Sequence, residues 1–68
     1  MSLTERMKAL LTDNPALDMQ ARQEWAPISH EIILKPRPKD TKVFEVHHEI
    51  EAARAKFFEQ FLAAHEGN

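Results

Sequence analysis

The chain of 68 residues contains no cysteine, so no disulfide braces it and a zinc–thiolate site is excluded. It has a single glycine, Gly67. That scarcity argues against phosphate-cradling glycine loops and against strand-rich folds, whose tight turns draw on glycine. Long apolar runs are missing too. Stretches such as Ile32-Ile33-Leu34 are far shorter than a membrane span or a signal-peptide core, so no membrane partner is expected. Charge of one sign is also lacking. A formal net charge of -2 is too balanced for a general nucleic-acid coat or a DNA mimic. There are no internal repeats and no low-complexity tract. The absence of cysteine fits a cytoplasmic location, which is the expectation here.

What remains is a composition able to fold. Hydrophobic residues make up 43 % of the chain, too many for full disorder. A chain this short buries a modest fraction of its surface, and a marginal core raises the prospect of a partner chain.

The stretch 41–65 reads as one long amphipathic helix. Val43, Ile50, Phe57 and Ala64 fall seven apart, with Val46, Ala53 and Phe61 between them. Such spacing places the side chains on one helical face. Asp40 or Thr41 is the expected N-cap. Earlier, Ser2 and Glu5 stand in capping-box relation, and Leu3, Met7, Leu10 and Leu11 recur at helical intervals. A helix over 3–12 follows. Asn14 and Pro15 suit the N-cap and first position of a second helix, with Asp18 in its first turn. Leu17, Ala21 and Trp25 form its stripe, and Pro27 is expected to end it near Trp25.

Residues 28–39 read as an extended arm. His30, Ile32 and Leu34 alternate with Glu31, Ile33 and Lys35, a strand-like period. Pro36 and Pro38 then favour polyproline geometry. The expected fold is therefore mostly all-α, with a helical pair, a proline-bearing arm and a long C-terminal helix in one small domain. The alternative is an α+β arrangement with a two-stranded hairpin over 31–46.

Chemistry-bearing motifs are weak. His48-Glu49 would open a zinc-peptidase H-E-x-x-H helix, but Ala52 stands where the second histidine belongs. Glu45 and His48 make half of a helical di-iron motif, which two copies of the chain would be needed to complete. Ser29-His30-Glu31 are adjacent in sequence and do not give triad geometry. Neither an enzyme nor a cofactor is expected. Trp25 reads as a core anchor, and Met7 and Met19 as ordinary packing.

Two functional readings remain. Phe57, Phe58, Phe61 and Leu62 form the widest apolar cluster on a helix about 36 Å long. Two shorter helices cover only part of such a face, and an uncovered part is a binding surface. The leading expectation is a non-enzymatic interaction module that binds itself or a larger protein through these four residues, as adaptor, assembly factor or inhibitor. The bland alternative is that Trp25, Ile28 and Ile32 fold back and cover them. The second reading is a small nucleic-acid-binding protein using the basic arm Lys35, Arg37, Lys39 and Lys42 on phosphates.

Overall fold

A computed structural model describes residues 2–66. It contains three helices and, among the described residues, no strand. Helix α1 spans Leu3–Thr12, α2 spans Pro15–Leu34 and α3 spans Val43–His65. The fold is mostly all-α, and the hairpin alternative does not form.

Local chemistry sets most of the boundaries. Ser2 Oγ accepts from the Glu5 backbone N–H at 3.2 Å and donates to the Glu5 carboxylate at 3.1 Å, starting α1. Asn14 occupies the N-cap position of α2, but its side chain turns back. Its Nδ2 donates to the Leu10 carbonyl at 2.7 Å, so it satisfies the end of α1 instead. The N-cap of α3 is Lys42 rather than Asp40 or Thr41. Lysine offers no acceptor, and the Glu45 carboxylate takes the Lys42 backbone N–H at 3.3 Å.

The largest departure from expectation is α2. It does not stop near Trp25, and 28–34 is not an extended arm: the helix runs through Pro27 to Leu34. Its inward positions explain why. Leu17, Ala21, Trp25, Ile28 and Ile32 keep helical spacing across the proline, and all five are buried or half-buried. Pro27 costs the helix the bond to the Gln23 carbonyl, about 3 kcal/mol in a helix interior. Both residues are exposed, so water reaches the freed carbonyl. Continuous burial of the stripe outweighs the local cost. Between α2 and α3, residues 35–42 form a short non-helical strap with a turn closed by Thr41 N–H on the Pro38 carbonyl at 3.1 Å.

Helices α2 and α3 are antiparallel. Trp25 packs on Phe57, with ring centroids 5.7 Å apart, while Lys35 reaches back to Glu49. Every pair of helices is in contact. At 1.5 Å per residue, α1 is about 15 Å long, α2 about 30 Å and α3 about 34 Å. Helix α1 therefore covers only one end of the α2–α3 pair. The core sits at that end: Met7, Ala21, Phe57, Phe61 and Leu62 are buried there, with Leu3, Leu10, Leu11, Leu17, Trp25, Ile28 and Phe58 packed around them. Arg6 of α1 grips Glu66, just beyond α3, through an ion pair reinforced by a 3.2 Å Nε bond. No helix among the described residues is long and apolar enough to cross a membrane.

Candidate interaction surface

The four residues singled out as a binding surface are core. Phe57, Phe61 and Leu62 are buried and Phe58 is half-buried. Trp25 and Ile28 lie against them as the bland alternative expected, joined by Met7 and Ala21, whereas Ile32, the third residue it named, packs at the other end. The rings are mutually packed, with Phe57 centroids 5.7 Å from Phe61 and 6.3 Å from Phe58. These separations suit tilted aromatic pairs. A face closed in this way offers a partner little to touch.

Exposed apolar mass lies at the opposite end. Ile33 and Leu34 in the last turn of α2 are 59 % and 66 % exposed; Val43 and Phe44 in the first turn of α3 are 73 % and 65 % exposed. Met19, read as packing, is exposed as well, but stands apart near the start of α2. The tip residues follow from the helices that carry them. Once 28–34 is helical, Ile32 faces α3, and Ile33 and Leu34 turn away from it. Lys35, just beyond α2, pairs with Glu49, six residues into α3. Beneath the tip, Ile32, Val46 and Ile50 are only half-buried because no third helix reaches them.

The chain matches no protein-family model. No curated protein and no solved structure is similar to it. The site is therefore read from its own geometry.

The basic arm has structural work within the fold. Arg37 Nη2 donates to the Ile32 carbonyl at 3.0 Å, satisfying one of the carbonyls left open at the end of α2. The same guanidinium forms an ion pair with Glu49, and Lys35 Nζ bonds the other carboxylate oxygen at 3.3 Å. Arg37, and then Lys35, hold the Glu49 carboxyl below its ordinary value, against the opposing effect of desolvation. Arg6 does the same to Glu66, and its own pKa is raised in return. Two of the four arm cations are thus engaged. Lys39 and Lys42 remain exposed, Lys42 Nζ lying 6.0 Å from the Phe44 ring centroid.

Among the described residues no three histidine or acidic side chains cluster within reach of one metal ion. Glu45 is occupied with the α3 cap and Glu49 with the strap. Ser29 Oγ donates to the Ala26 carbonyl at 3.2 Å, within its own helix.

Proposed function

We propose that this protein is a non-enzymatic interaction module that docks through the α2–α3 tip, and that its first partner is a second copy of itself. The observation that carries the reading is the concentration of four exposed large apolar side chains, Ile33, Leu34, Val43 and Phe44, where the third helix is missing. Two such tips laid together complete a four-helix arrangement in which each half-buried stripe gains a cover. The rim supports a symmetric contact. Lys39, Asp40, Lys42 and Glu45 follow one another closely in sequence and are all exposed, so each copy offers both signs of charge. A two-fold interface needs that self-complementarity. An adaptor or assembly role follows from holding two copies together.

Light scattering after size exclusion, over a dilution series, tests the proposal. Twice the 7.9 kDa chain mass is expected at high concentration, falling toward one on dilution. Phe44→Glu and Leu34→Glu are expected to stay monomeric with unchanged helical circular dichroism. A wild type that is monomeric throughout the series would overturn the self-pairing.

A further inference from the structure

A second feature lies at the other end of the molecule, away from the tip. All three helices contribute to an open groove of about 270 Å³. Its floor is apolar and largely aromatic: Met7, Leu11, Trp25, Phe57 and Phe58. Its rim carries one cation from each helix, Lys8 of α1, Arg22 of α2 and Arg54 of α3. The one rim carboxylate, Asp18, is paired with Arg22 at 3.2 Å. In a chain of net charge -2, three cations against one carboxylate is a local reversal of sign. The Arg54 guanidinium lies over Trp25, its carbon 5.8 Å from the ring centroid, in a cation–π contact that holds it at the groove edge. Arg54 and Phe58 also border an adjoining depression of similar volume, lined by Leu3 and Glu51, so a second carboxylate lies just beyond the groove.

This combination selects a ligand class. An aromatic floor favours a ring, which packs edge-on or offset against Trp25 and Phe58. A cationic rim favours an anion, and guanidinium and ammonium donors both serve a carboxylate. The volume lies just under the roughly 300–1,000 Å³ of drug-sized sites, so the ligand is small. We propose that the groove binds a small aromatic monocarboxylate, its ring on the Trp25–Phe58 floor and its carboxylate between Lys8 and Arg54. The proposal is independent of the tip, because none of its residues belongs to the α2–α3 turn.

Trp25 is the sole tryptophan, so its fluorescence reports the groove directly. Phenylbutyrate is the probe, and its neutral amide, phenylbutanamide, is the comparison. Saturable binding of phenylbutyrate is expected, about tenfold tighter than the amide, as charge-assisted bonds at a half-open site allow. Lys8→Gln and Arg54→Gln should each weaken it about fivefold, and Arg54→Lys should restore most of the loss. Lys39→Gln, far from the groove, and Phe44→Glu, at the tip, should bind as wild type. Circular dichroism of each variant separates lost binding from lost fold. Equal affinity for acid and amide, absence of saturation, or indifference to Lys8 and Arg54 in folded variants would each overturn the proposal. So would clear preference for an acidic peptide carrying one phenylalanine, which would assign the groove to a protein partner.

Discussion

Phe44 and Phe61 sit on the same helix and have opposite fates. Phe61 is buried among Leu62, Phe57 and its neighbours, whereas Phe44 stands in solvent beside Lys42. Truncating a buried phenylalanine removes its transfer free energy and leaves a cavity, at about 3–5 kcal/mol. Small domains have little more than that in total, so Phe61→Ala is expected to be largely unfolded. Phe44→Ala should lie within about 0.5 kcal/mol of wild type at concentrations where the chain is monomeric. Urea titrations of both at low protein concentration check the contrast. The sequence made the width of the apolar face on 41–65 legible, down to the residues. It left open which stretch of that face is covered, because coverage depends on how far the neighbouring helices extend. Carboxylates supply the other prediction at this scale. Glu49 and Glu66 have folded pKa values below the ordinary 4.5. Their contribution to stability is complete above that value and is lost as pH falls through the lowered folded values. Thermal melts from neutral to acid pH should show a decline that begins near pH 4.5. In Glu49→Gln/Glu66→Gln the decline should be shallower. An unchanged acid limb in that variant would remove the strap and the Arg6 clip from the account.

At the scale of the element, α2 is the informative case. Two signals compete along it. Pro27 and the alternation of His30, Ile32 and Leu34 argue for an extended segment, while Leu17, Ala21, Trp25, Ile28 and Ile32 argue for one helix. The second set wins because tertiary burial acts along the whole stripe and the proline penalty acts at one turn. Five apolar side chains at helical spacing are a stronger signal than three at spacing two, and the longer pattern was present in the sequence. Helices α1 and α3 were legible to within two residues, since both have unbroken stripes and no internal proline. The caps were less so. Asn14 serves the helix before it and Lys42 starts the helix after it, and neither choice follows from side-chain preference alone. Pro27→Ala restores a backbone donor at an exposed site. It should stabilise α2 by about 1–2 kcal/mol after allowing for the looser unfolded chain, raising the urea midpoint. A lower midpoint would show that the proline fits the bend of α2 and that the helix depends on it.

At the scale of the whole molecule, the chain is 45 Å long and 23 by 16 Å across, and its two ends differ. One end is a three-helix core clipped by Arg6 and Glu66. The other is a two-helix tip strapped by Lys35 and Arg37 and left open on its apolar side. The asymmetry comes from length: ten residues of α1 cannot span twenty of α2 and twenty-three of α3. The small size and the wide stripe made an incompletely covered apolar face legible, but not which end of it is left open. Phe57, Phe61 and Leu62 are covered, and the exposed apolar side chains lie at the tip, where α2 continues past Pro27. Hydrogen exchange of backbone amides at high and low protein concentration addresses that location most directly. The account predicts that residues 43–50 and the last turn of α2 gain protection with concentration, while 57–65 exchange at the same rate throughout. Protection at the tip that is indifferent to concentration, or a change confined to 57–65, would contradict it.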